Sequence, residues 1–150
     1  MQPGPQELVS LMSDFKTAFY GTFYSLMSWK QLTEFWGRVD PQAGWHLYAI
    51  GEPVPTAPAS AEEVSRFVQE VDVLLRRDHK EDYCAIVYAD NLEHPTLIKI
   101  YDPNNLGVSC GSSKNPPLPG WVMSVMPPSE MQPKGIIPAG RQRWWQSLFS

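Results

Sequence analysis

Apolar residues recur at helical spacing through the first quarter of the chain. Leu8, Met12, Phe15, Phe19, Phe23 and Leu26 follow one another at three or four positions, which places them on one helix face. Tyr20, Tyr24 and Met27 widen the face, and Trp29, Leu32, Phe35 and Trp36 continue it. Gly21 costs ~1 kcal/mol inside a helix and marks a close crossing or a break. The pattern fits one helix over 6–36, or two over roughly 6–20 and 22–36, ended by Gly37 and Pro41. Its aromatic area exceeds what one small sheet face must cover, and the surplus points to a dimer interface or a groove.

The pattern then changes. WHLYAI (45–50) alternates weakly and reads as a strand. GEPVPTAPAS carries three prolines and reads as a stiff surface connector. Ser60 and Glu63 form a capping-box pair ahead of Val64, Phe67, Val68, Val71, Leu74 and Leu75, a single apolar stripe. Acidic residues 62 and 63 and basic residues 76, 77 and 80 sit where the helix dipole favours them. YCAIVYA (83–89) is apolar on both faces, as a covered strand is. TLIKIY (96–101) follows after DNLEHP, so the two predict an antiparallel hairpin. Lys99 interrupts the second strand and predicts a face that reaches solvent. DPNNLG is turn chemistry, and GWVMSVM (120–126) predicts one more strand.

These elements predict an α+β fold. A small, mainly antiparallel sheet of about three to five strands packs against an N-terminal helical segment and one amphipathic crossover helix. A β–α–β unit would allow strands 45–50 and 83–89 to lie parallel, with helix 60–79 crossing between them. The chain divides into a domain over 1–126 (helical 6–36, β-α-β-β core 45–101, loop and last strand 102–126) and a Pro-rich arm over 127–150 with a Trp-rich end. The arm predicts an extended or poorly ordered segment.

Composition sharpens the picture. The chain has 150 residues, a one-domain length, and 15 prolines, about twice the usual share. Residues 1–102 carry a net charge of −7 and residues 103–150 carry +3. The acidic body argues against nucleic-acid binding. The N-terminus shows no signal-peptide pattern, and the uncharged stretch 17–29 is too short to span a bilayer. A cytoplasmic protein with reduced thiols and no integral membrane association is expected.

Candidate chemistry is sparse. In YDPNNLGVSCGSSKNPPLPGW, Gly107, Ser109, Cys110, Gly111, Ser112, Ser113 and Lys114 could shape an anion nest beside a thiol. Cys110 is then a nucleophile candidate, but no histidine stands at a recognisable spacing to serve as its base. His46, His79 and His94 have no close metal-ligand spacing with each other or with the cysteines, so no metal site and no cofactor are expected. The charge run RRDHKEDY reads as a solvated helix end. RQRWWQSLF combines Arg141 and Arg143 with Trp144, Trp145, Leu148 and Phe149, residue types of binding hot spots. With Trp121 they are the partner-binding candidates, and the segment fits docking on its own domain, on a partner or on an anionic membrane surface.

The leading expectation is a non-catalytic accessory or adaptor protein that binds another protein, or itself as a homodimer, through exposed aromatic and Pro-rich segments. A thiol enzyme or redox carrier using Cys110 is the alternative. A small-ligand domain, with an aromatic pocket between the N-terminal helix and the sheet, is the third reading.

Overall fold

The computed structural model describes residues 14–104, 118–133 and 137–149. Helical residues 14–19 (α1) lead to strand β1 (Tyr24–Ser25) and helix α2 (Trp29–Trp36). Strand β2 (His46–Ala49), helix α3 (Ala61–Asp78) and strands β3 (Val87–Ala89), β4 (Leu97–Ile100) and β5 (Trp121–Ser124) follow, and helix α4 (Ala139–Ser147) comes last. The five strands form one antiparallel sheet in the order β1-β3-β4-β5-β2. The fold is α+β, with the predicted amphipathic helix and the predicted hairpin in place.

Three expectations are corrected. The N-terminal pattern is not helical throughout 6–36: the helix stops at Phe19, and the chain runs extended as β1 before α2 begins. Gly21 falls at that break. Leu26 N–H donates to the Val87 carbonyl, so pairing with β3 takes over the backbone groups that a continuous helix would have used. The apolar residues keep their burial, because a strand and a helix can both point Leu26 and Leu32 at one core. The second correction concerns β2 and β3, which do not lie side by side in parallel. Strands β4 and β5 stand between them, and every pairing is antiparallel. The third is local: 83–86 precedes the ladder, and Ala85 takes a left-handed φ of 55° while its N–H donates to the Leu26 carbonyl.

Alternation along the strands divides the core in two. One face carries Leu47, Ala49, Val87, Ala89, Ile98, Ile100, Trp121 and Met123, covered by Leu32 and Phe35 of α2 and by the apolar stripe of α3. The opposite face carries Tyr48, Leu97 and Val122, covered by Phe15 and Phe19 of α1 and by Met131. The Tyr48 hydroxyl accepts from the Met131 N–H at 2.9 Å and lies 3.3 Å from its carbonyl, which ties the segment after β5 back over the sheet. His46 is buried, with Nδ1 at 3.1 Å from the Ser124 carbonyl, so that nitrogen carries the proton.

Helix α3 is built as its sequence states. Ser60 Oγ accepts from the Glu63 N–H at 3.1 Å, and the Glu63 carboxylate accepts from the Ser60 N–H at 2.9 Å. Helix α2 lies against its C-terminal half through Trp36 Nε1 to Asp72 (3.1 Å) and Arg76 to Thr33 (2.8 Å). Ser60→Ala should cost about 1 kcal/mol in urea unfolding, and Ser60→Gly only a few tenths. Equal losses for the two variants would show that the reciprocal cap is not what the hydroxyl contributes.

Candidate functional site

The partner-binding candidates of the tail come first. From Ala139, the chain is helical, and one side of that helix faces α3 and β5. Trp144 stands edge-on to Trp121 at 5.2 Å and tilted to Phe67 at 6.3 Å. Trp145 meets Phe67 at 5.9 Å and Phe149 at 4.8 Å. Trp121 and Leu148, both partner-binding candidates from the sequence, are buried in the core, and of the three docking modes the sequence allowed the segment takes the one on its own domain. The reason is geometric: a helix places 144, 145 and 148 on one side, and the α3 stripe supplies the apolar ground for it. Arg143 and Phe149 remain exposed.

Arg141 holds this helix by charge. Its Nε and Nη2 donate to both carboxylate oxygens of Asp102 at 2.8 and 3.0 Å, and Nη2 also donates to Asp78 at 2.8 Å. Asp78 in turn takes a bidentate pair from Arg77 at 2.8 and 3.1 Å. Hydrogen bonds from Arg77 and then Arg141 hold the Asp78 carboxyl far below its ordinary pKa, against the opposing effect of burial. Arg66 adds a bond to the Leu148 carbonyl at 2.7 Å. The RRDHKEDY run is thus more than solvated surface: Asp78 is a structural counter-ion, and His79 packs edge-on between Trp29 and Tyr83. Beside Arg141 a cleft is lined by Ile50, Glu52, Asp102, Trp121 and Trp145. Its volume of about 40 Å³ holds a few waters, far short of the ~300 Å³ of a small-molecule pocket.

The thiol candidates separate. Gly107, Ser109, Cys110, Gly111, Ser112, Ser113 and Lys114 lie outside the described residues. Cys84 is buried, and burial pushes its thiol above the ordinary value, the opposite of what a nucleophile needs. Among the described residues, no group of three His, Cys, Asp or Glu side chains is arranged to hold a metal ion. Among the described residues, no helix is long and apolar enough to cross a membrane. The aromatic pocket expected between the N-terminal helix and the sheet is occupied by Phe15 and Phe19 themselves.

Two features of the sequence take a form that it did not specify. The first is Lys99. The register aligns Ser25, Tyr88, Lys99, Val122 and Tyr48 in one row across the sheet, all on the α1 side. Lys99 is partly buried there instead of reaching freely into water. Its Nζ stands 4.2 Å from the Phe19 ring centroid and 3.9 Å from that of Phe23. Burial lowers its pKa from 10.5 to about 8, against the attraction of two ring faces for an ammonium group. A lone lysine in an apolar strand was the available signal.

The second is the edge formed by 20–27. Tyr20 is 68% exposed, Tyr24 52%, Met27 56% and the adjoining Tyr83 51%. The Cys84 N–H bonds the Met27 carbonyl, which brings Tyr83 to the same edge. This is the aromatic surplus that the N-terminal pattern announced. Compared with known protein families, curated proteins and solved structures, the chain matches none.

Arg141→Met leaves Asp102 and Asp78 short of a partner and should cost about 2–3 kcal/mol. It should also red-shift tryptophan emission as α4 loosens; unchanged emission and stability would show that the aromatic contacts suffice. Asp78 contributes stability above the ordinary carboxylate pKa that is lost as pH falls toward its lowered native value. Acid unfolding should therefore be less steep in Arg141→Met. For Lys99 the sign is opposite. Its burial opposes folding in full below about pH 8, and the penalty fades as pH rises toward 10.5. The stability of wild type minus that of Lys99→Met should rise between pH 8 and 10, read by urea titration at each pH.

Proposed function

We propose that the protein is a non-catalytic interaction protein that binds another protein through the edge of its sheet at Tyr20, Tyr24, Met27 and Tyr83. The observation that supports this reading is their exposure in a fold that buries most of its other large apolar side chains. Tyrosine and methionine are enriched at interfaces, because they offer large contact area with a polar or adaptable end. The binding is by side chains rather than by strand addition. Strand β1 spans two residues, and the Met27 N–H beside it is taken by the Gln31 side chain at 2.8 Å, which blunts the edge. The Trp-rich tail serves this surface indirectly, by closing the core on the other side of the sheet.

A photo-crosslinking phenylalanine analogue at position 24 should give a discrete adduct in cells, whereas the same group at the exposed position 73 should not. A second copy of the chain would appear as an adduct of doubled mass. Tyr20→Ser with Met27→Ser should lower the yield at 24 while leaving stability within about 0.5 kcal/mol, as exposed substitutions do. Equal adducts at 24 and 73, or none at either, would refute the assignment.

A further inference from the structure

The cleft beside Arg141 lies where helix α4 meets the ends of β2 and β5. Its apolar walls include Trp121, Trp145, Ile50 and Ile137, and the exposed Gln142 lines it on the solvent side. Trp121 is buried and fixed by the core, while Trp145 is partly buried and held against Phe67 at 5.9 Å. Glu52 lines the same cleft. Its backbone is anchored, because its N–H donates to the Ala49 carbonyl at 2.9 Å across the turn at Gly51. Among the described residues its carboxylate has neither a hydrogen bond nor an ion pair. The other charges at this end are matched. Arg141 donates to Asp102 and Asp78, and Arg77 donates to Asp78 as well. The two arginines balance the two aspartates, so Glu52 carries the one uncompensated charge among these five residues.

We propose that this cleft binds a primary alkylammonium group, with the charge at Glu52 and the carbons against Trp145 and Ile137. Size sets the first limit. A volume of about 40 Å³ admits about three waters, which is the room needed by an ammonium group with one or two carbons. Charge sets the second. An anion would meet the unpaired Glu52 and an Arg141 whose charge is already answered twice, whereas a cation gains a carboxylate that has no other partner. The walls set the third. Indole is the side chain that best attracts a cation, and with Ile50 and Ile137 it also takes up the apolar part of the ion. Two sources share this chemistry, a free alkylamine and the end of a lysine side chain. The cleft lies by β2, at the opposite edge of the sheet from β1, so it stands independently of the Tyr20–Tyr83 interaction surface.

The full chain would be titrated with ethylammonium chloride, with potassium chloride holding the ionic strength constant, and the indole N–H groups followed by proton–nitrogen correlation spectra. The Trp121 and Trp145 signals should shift saturably, with a Kd near the millimolar range that so few non-hydrogen atoms can reach. The Trp36 signal, whose Nε1 donates to Asp72, should stay in place and serves as the internal control. Glu52→Gln should weaken binding at least about tenfold, as loss of a hydrogen bond to a charged group does, and leave the urea midpoint unchanged. The bulkier tert-butylammonium ion should move neither signal. Competition by Nα-acetyl-lysinamide would assign the site to lysine side chains, and its failure to compete would assign it to free amines. Shifts that are linear in ethylammonium, that sodium acetate reproduces, or that persist unchanged in Glu52→Gln would overturn the proposal.

Discussion

A five-stranded antiparallel sheet whose strands are apolar on both faces must be covered on both. Nearly every other element of this protein is one of those covers. Helices α2, α3 and α4 close one side, while α1 and the segment through Met131 close the other. Burying apolar surface is worth roughly 25 cal/mol per Å², so an exposed face of this composition would forfeit much of the stability of so small a domain. The edges obey the same demand. All four residues of β2 are buried although it is an edge strand, and β1 is kept to two residues.

The cover that arrives last along the chain is held differently from the rest. Helix α4 has a mixed surface and no buried residue within its own span, so apolar burial alone anchors it weakly. Arg141 compensates by joining the end of β4, through Asp102, to the end of α3, through Asp78. A guanidinium suits this task because its planar fork can satisfy two carboxylates at once. Gly51 shows how closely this part of the chain is fitted: its φ of 105° excludes a side chain, and a Cβ there would lie 3.0 Å from Ile137.

Sealing both faces concentrates what remains open. Large exposed apolar side chains gather at the 20–27 edge, where the sheet ends. Lys99, on the α1 side of the sheet, lies against Phe19 at the end of α1 and against Phe23 beyond it. The tail residues that looked most like a binding segment are drawn inward onto Phe67 of α3 and Trp121 of β5.

The sequence by itself determined the elements whose causes are local. The Ser60–Glu63 cap, the α3 stripe, the β3–β4 hairpin and strand β5 depend on residues a few positions apart, and their spacing is visible in one dimension. The Asp102 side chain accepting from the Asn104 N–H at 2.9 Å is the same kind of event, a turn encoded within three residues. Only the tertiary structure decided the rest. Residues 20–28 left the helical pattern because β3 offered a strand to pair with. Trp121 and Leu148 became core, and Lys99 came to rest on Phe19 and Phe23. Arg141 found acids 39 and 63 positions away. Such contacts form when folding closes long loops, and no periodicity in the chain records which distant group will be there.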